Sequence, residues 1–259
     1  MNDIRISGSG SVGGGEYENV KISGSGRVDG DISCKIFSAS GSAKINGNTV
    51  CDSFSASGST HVCGSIECRG ELHVSGITKA DGDIKADSVH ISGSCSVSKS
   101  LNARNMHISG MMSVGEKCCA TEASVSGGLS VKGDFSAEKI RLSGQSDIRG
   151  LLNAEEVEII LQKGCGCSQI GSVGGGSVKV AHQMSGGFNL LSLFRSKSAG
   201  GLKTSSIEAD KVELEYTEAE TVRAIDAVIG KGCKIGTVEY SGTLTVDEDA
   251  IVGNTVKTE

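Results

Sequence analysis

The sequence predicts an all-β fold, a single-stranded parallel β-helix whose triangular coils are about 17 residues long. Three observations predict it. Ser-Gly returns at Ser7-Gly8, Ser23-Gly24, Ser40-Gly41, Ser57-Gly58, Ser75-Gly76, Ser92-Gly93, Ser109-Gly110, Ser126-Gly127 and Ser143-Gly144, in steps of 16, 17, 17, 18, 17, 17, 17 and 17 residues. Self-similarity at a fixed period marks a repeat architecture. Each period also holds three short segments with apolar residues two apart, the alternation of a half-buried strand, because successive side chains leave opposite faces. Finally, a second glycine recurs at Gly14, Gly30, Gly47, Gly64, Gly82, Gly133 and Gly150, flanked by turn formers as in Asp29-Gly30-Asp31 and Asn46-Gly47-Asn48. Glycine at these corners is expected for its tolerance of positive φ.

The elements follow from the Ser-Gly corner. Four residues after its glycine stands an aliphatic residue, such as Val12, Val28, Ile45, Val62 or Val97. Eight residues after it come Ile32, Ile66, Ile84, Leu101, Cys118, Phe135 and Leu152. Ten residues after it come Cys34, Cys51 and Cys68, then alanines from Ala86 to Ala154. An alternating pair precedes the next corner, for example Val20/Ile22, Phe37/Ala39, Phe54/Ala56 and Val89/Ile91. Each coil thus offers six inward positions that stack on the six of the next.

Along the chain, Ile4 and Ile6 are already in the inward phase, and no amphipathic helix precedes them as a cap. Residues 1–162 form the N-terminal coils. Residues 163–206 break the period and are expected to be irregular and Gly-rich, with one more short strand at Val178 and Val180. This stretch holds an insertion, residues 184–201, with apolar Phe188, Leu190, Leu191, Leu193 and Phe194 beside basic Arg195 and Lys197. Insertions between repeats map to loops and often to a contacting face. Such a segment is a candidate for contact with a membrane surface or with a partner. Residues 207–259 resume the coil, through Ile207/Ala209, Val212/Leu214 and Ala227/Ile229 to Val246, Val252 and Val256, the last closing the final coil.

Composition agrees with a solenoid. There are 38 Gly, no Pro and 3% aromatic residues. Proline would remove a ladder donor, and a thin core of stacked aliphatic residues leaves little room for rings. The net charge of −6 speaks against a general nucleic-acid binder. The start lacks a basic, then apolar, leader, so a soluble cytoplasmic protein is expected. Most of the ten cysteines fall on inward positions, where a free thiol behaves as a small hydrophobe. A reducing compartment follows. Cys63 and Cys119 fall on outward or corner positions.

No catalytic constellation emerges, and neither a cofactor nor a metal is expected. Gly8-Ser-Gly10-Ser-Val-Gly13 has dinucleotide-motif spacing without the βαβ unit that motif requires. His73, His90 and His107, spaced by seventeen, form an outward ladder and more simply a surface row than a metal site. Cys165-x-Cys167 lacks a second pair. Asp29, Asp31, Asp81, Asp83 and Asp134 share turn positions, which turn chemistry explains.

The repeats at residues 20–32 (Val-Lys-Ile-Ser-Gly-Ser-Gly-Arg-Val-Asp-Gly-Asp-Ile), 89–97 (Val-His-Ile-Ser-Gly-Ser-Cys-Ser-Val) and 230–242 resemble those of the bactofilins, polymer-forming bacterial cytoskeletal proteins. The resemblance implies a right-handed β-helix that assembles end to end into nucleotide-independent filaments. It also implies a place at the cell membrane, where such filaments help position cell-shape or envelope machinery. The chain departs from the family pattern in its greater number of coils, its insertion, and its lack of a short apolar-basic N-terminal anchor. Uncapped coil ends lead to the same expectation from physics, because a row of unpaired N–H and C=O groups templates further pairing. The expected assembly interface is Ile4 and Ile6 at one end and Val246, Val252 and Val256 at the other. The other reading is a non-polymerising β-helical module that recruits a partner through its faces or the 184–201 insertion.

Overall fold

The structure, a computed structural model, describes residues 2–162, 166–182 and 200–259. Every regular element among them is a β-strand, and the strands pair in parallel into a β-solenoid of about 14 turns. The expected fold class is borne out. The chain divides into two compact units, Met1–Phe135 and Ser136–Glu259.

In the first unit each middle coil pairs a four-residue strand with a longer, bent one, as in Ser42–Ile45 and Thr49–Ala56, then Ser59–Val62 and Ile66–Val74. Stacked residues align column by column. Val28, Ile45, Val62, Ala80, Val97 and Val114 form one fully buried column. Cys34, Cys51, Cys68, Ala86 and Ala103 form another. In a third, the Phe37 and Phe54 rings lie 4.7 Å apart and nearly parallel, close to the spacing of paired strands. Thr49 fills the inward position between Ile32 and Ile66. The coils of odd length do not disturb the columns. The 18-residue step takes up its extra residue between Cys68 and Glu71, and the 16-residue step is absorbed between Gly13 and Gly15. Both sites are corners, so the inward phase is unchanged on either side.

At the second corner Gly30 takes the expected positive φ, but the glycines of the Ser-Gly corners are needed for another reason. Among the described glycines, positive φ occurs at Gly15, Gly30 and Gly232 and not at the Ser-Gly corners. At Gly41, Gly58, Gly76, Gly93, Gly110 and Gly127 a Cβ would instead overlap the carbonyl oxygen of the corner glycine one coil earlier. That carbonyl accepts a ladder hydrogen bond from the next coil, as in Ser59 N–H to Gly41 (3.0 Å) and Ile77 N–H to Gly58 (2.9 Å). The constraint is backbone against backbone, and turn conformation is secondary to it.

The second corner is held by side chains. Asp31 Oδ1 accepts the Asn48 N–H (2.6 Å), Asn48 Oδ1 that of Ser65 (2.9 Å), Ser65 Oγ that of Asp83 (3.0 Å), and Asp83 Oδ1 that of Ser100 (3.0 Å). Short polar residues recur there because each one satisfies the backbone donor of the next coil.

In the second unit the long strands Ser146–Leu161, Ser168–His182, Leu202–Leu214 and Thr217–Ile229 pair in sequence, followed by Lys234–Tyr240, Leu244–Val246 and Ile251–Lys257. Here the structure differs from the expected irregular stretch. Residues 168–182 form a complete strand paired on both sides, with one register shift, between Ile148 and Leu151 of the preceding strand. Gly174-Gly175-Gly176 belongs to it: Gly175 sits between Ala154 and Ala209, where a Cβ would overlap the Ala154 carbonyl oxygen. The three glycines hide the alternation in the sequence because they remove the side chains that carry it.

A pair of substitutions tests the corner constraint. Gly58→Ala should cost about 1–3 kcal/mol in urea unfolding. Gly8→Ala, at the first corner, where no atom lies within 4 Å of an added Cβ, should stay within about 0.5 kcal/mol. Equal costs would show that turn conformation, and not the coil beneath, selects glycine.

Candidate assembly faces: the first and last coils

The first coil is built like the others and is covered on one side only. Ile4 pairs with Val20 and Ile6 with Ile22, while Val12 pairs with Val28. Ile22 and Val28 are fully buried. Ile6 and Val12 are half-exposed, and Ile4 is 8% exposed. Among the described residues, no coil covers these inward positions on their other side. Among the described residues, the strand Asn2–Ile6 has a partner along one edge. Its other edge presents ladder donors and acceptors.

The last coil shows the same change. Leu244 stands over Ala227, Val246 over Ile229, and Val252 over Ile235. Ile229 and Ile235 are buried, whereas Val246 is 42% exposed and Leu244 and Val252 are half-exposed. Val256 differs from the expectation. The register puts it over outward-facing Glu239, and Thr255 over buried Val238. The alternation shifts at Gly253, so Val256 faces outward and Thr255 and Lys257 take the inward columns. The Lys257 ammonium lies 5.9 Å from the Tyr240 ring centre, and Thr258 N–H donates to the Tyr240 carbonyl (2.8 Å). This face is therefore apolar on one side and polar on the other.

The insertion residues Phe188, Leu190, Leu191, Leu193, Phe194, Arg195 and Lys197 lie outside the described residues. So does Cys165, while Cys167 is exposed. His73, His90 and His107 stack in register on an outward face. His90 and His107 lie 5.1 Å apart, ring centre to ring centre, and His90 Nε2 contacts Ser88 Oγ at 2.9 Å. They form a row rather than a convergent set. Gly8, Gly10 and Gly13 lie at or in the strand Ser9–Ile22, followed directly by the strand Ser25–Ala39, so no helix stands where a dinucleotide motif needs one. Asp29, Asp31, Asp81 and Asp83 each hold a corner or ion-pair partner. The sequence reading missed one juxtaposition, that of His61, Cys63 and Asp81 across two coils.

The thiols divide as expected. Cys34, Cys51, Cys68, Cys95, Cys118 and Cys233 are buried and free, Cys119 is half-buried, and Cys63 is exposed. Burial pushes the Cys34 thiol up to about 11, with the Asp52 charge adding to it, and pushes Cys95 up to about 12.

The fold and its open end coils define a class: a parallel β-solenoid whose terminal rungs are uncapped among the described residues. The family model of the polymer-forming cytoskeletal bactofilins matches residues 55–153, and the chain carries a bactofilin segment there, as its repeats suggested. Two curated relatives from Bacillus subtilis (strain 168) are similar to it. The uncharacterized protein YhbF is 40% identical over 73 residues, 28% of this chain and 28% of the relative. The uncharacterized protein YhbE is 43% identical over 68 residues, 26% of this chain and 29% of the relative. The match thus spans less than a third of either relative. No solved structure matches the chain.

Thiol burial is directly measurable. Iodoacetamide at mildly alkaline pH should label Cys63 and Cys167 in the folded chain. Cys95 and Cys118 should react only after denaturation, since burial raises both thiols and thiolate is the reactive form. Early labelling of Cys95 or Cys118 would contradict the stacked-column core.

Proposed function

We propose that this chain is a structural cytoskeletal scaffold that assembles end to end into filaments without nucleotide, and that it has no catalytic role. One observation carries the reading: the first coil presents inward residues and a strand edge identical in kind to those buried one coil later. A second copy would cover both. Burying an aliphatic side chain contributes about 1.5–3 kcal/mol, and the unpaired edge adds ladder hydrogen bonds. The printed description of the matched family, polymer-forming and cytoskeletal, supports self-association. The partner is then another copy of the same chain, and the net charge of −6 disfavours nucleic acid.

Among the described residues no helix is long and apolar enough to cross a membrane. We place the scaffold in the cytoplasm, peripheral to the inner face of the cell membrane, with residues 188–197 as its contact to lipid or to envelope-associated proteins. The apolar run beside Arg195 and Lys197 supports this placement.

Negative-stain electron microscopy of the purified chain, without nucleotide and with chelator, should show filaments. Ile6→Lys and Val252→Lys should abolish them. Gly8→Ala should obstruct a coil stacked on the first corner while leaving the unfolding midpoint unchanged, which separates an assembly defect from a folding one. Wild-type chain that remains monomeric across salt concentrations would overturn end-to-end assembly and favour a module that recruits a partner through its faces or the 184–201 insertion.

A further inference from the structure

The solenoid brings together, at one corner of the first unit, three different ligand types from two successive coils. His61 lies outward on the strand Ser59–Val62, and Cys63 follows at the corner. One coil later the strand Ile77–Ala80 pairs in register, His61 with Lys79 and Val62 with Ala80, and this places Asp81 above Cys63. His61 Nε2 lies 2.8 Å from Asp81 Oδ2. The imidazole nitrogen, thiol sulfur and carboxylate oxygen all lie within 4.8 Å of one another. One coil earlier, Asn46 Oδ1 lies 3.6 Å from Cys63 Sγ.

We infer that His61, Cys63 and Asp81 form a binding site for a divalent transition metal of the zinc type, which clips two adjacent coils together.

The chemistry selects the metal. One nitrogen, one sulfur and one oxygen donor suit zinc or cobalt, whereas calcium and magnesium prefer all-oxygen shells. Bonds of about 2.0–2.3 Å put tetrahedral ligands about 3.4 Å apart, so the observed cluster needs only small side-chain adjustments to close on an ion. The 2.8 Å His61–Asp81 contact would open by roughly half an ångström as metal replaces the hydrogen bond. Lys79 Nζ holds the other carboxylate oxygen, Asp81 Oδ1, at 2.7 Å. It leaves Oδ2 to face the imidazole and fixes the orientation of the ligand. Lys79, and then His61, also hold the Asp81 carboxyl below the ordinary carboxylate range, so it is ionised at neutral pH. Cysteine ligates as the thiolate and histidine as the neutral imidazole, so metal binding and ligand protonation compete. The fourth position falls to water or to the Asn46 amide oxygen.

The site is particular to this corner. In the register of neighbouring coils Lys44 and Lys79 occupy the His61 position. Among the described residues, His61, Cys63 and Asp81 alone converge as three such ligands. The inference stands whether or not the chain polymerises.

Cobalt titration of the full chain, watched by absorbance, tests it. One equivalent of Co2+ should raise a thiolate-to-cobalt charge-transfer band, and Zn2+ should bleach it. Cys63→Ser should remove the band, and His61→Gln or Asp81→Asn should weaken binding about tenfold or more. The double variant C165S/C167S, which removes the Cys-x-Cys pair of the sequence, should keep the band. Zn2+ should also raise the unfolding midpoint of wild type but not of Cys63→Ser. Absence of a band in wild type, or a band that survives in Cys63→Ser, would overturn the assignment.

Discussion

The structure depends on one distance, the rise between successive coils. Ladder hydrogen bonds between parallel strands fix that rise near the spacing of any paired strands, about 4.8 Å. Where the chain turns sharply, the same rise forces backbone onto backbone. At the Ser-Gly corner the carbonyl of one glycine reaches the next coil's N–H and leaves no room for a Cβ above it, at each corner from Gly24 to Gly127. The period therefore follows from the hydrogen-bond ladder acting at a tight turn. Once the corners are locked above one another the columns cannot slip, and even the coils of 16 and 18 residues absorb their difference at a corner.

Locked columns decide what each side chain meets. Inside, like stacks on like, as with Phe37 on Phe54 or Cys51 on Cys68. Outside, stacking like on like would set equal charges one rise apart, and the chain alternates them. Lys35 pairs with Glu18, Arg69 with Asp52, Arg141 with Glu158 and Arg223 with Glu239, each from an adjacent coil. Exposed pairs of this kind contribute little each. Their larger effect is to avoid the repulsion that identical columns would impose.

Features of the sequence that repeat were legible in it, because a repeat states its own register. The six inward columns, the outward histidine row and the corner positions all follow from counting seventeen from Ser-Gly. Three things were not legible, each for a physical reason. The need for glycine at the corners looked conformational, because the sequence does not show the carbonyl of the coil below. The strand through Gly174-Gly175-Gly176 looked like a break, because alternation is carried by side chains and glycine has none. Val256 looked inward by chemistry, yet the shift at Gly253 turns it outward and puts Thr255 over Val238. The His61–Cys63–Asp81 cluster escaped a motif search because its ligands are neighbours across coils rather than along the chain.

The same constraint bears on what an open end can accept. A coil added to the first one must bring hydrogen-bonding partners for the strand Asn2–Ile6, apolar residues over Ile6 and Val12, and a corner that tolerates Gly8 beneath it. A generic β-edge supplies the first of these requirements but not the other two. A second copy carries coils of this very design and would meet all three requirements, as the proposed assembly needs. The final coil is less uniform. Leu244, Val246 and Val252 offer an apolar half, while Thr255 and Lys257 hold inward columns that elsewhere carry Val238 and Tyr240. Desolvating an inward lysine is costly unless it is paired, so on this side a stacked partner would have to meet Lys257 with a carboxylate or leave it solvated at the rim. That requirement makes the first coil the more permissive of the two faces.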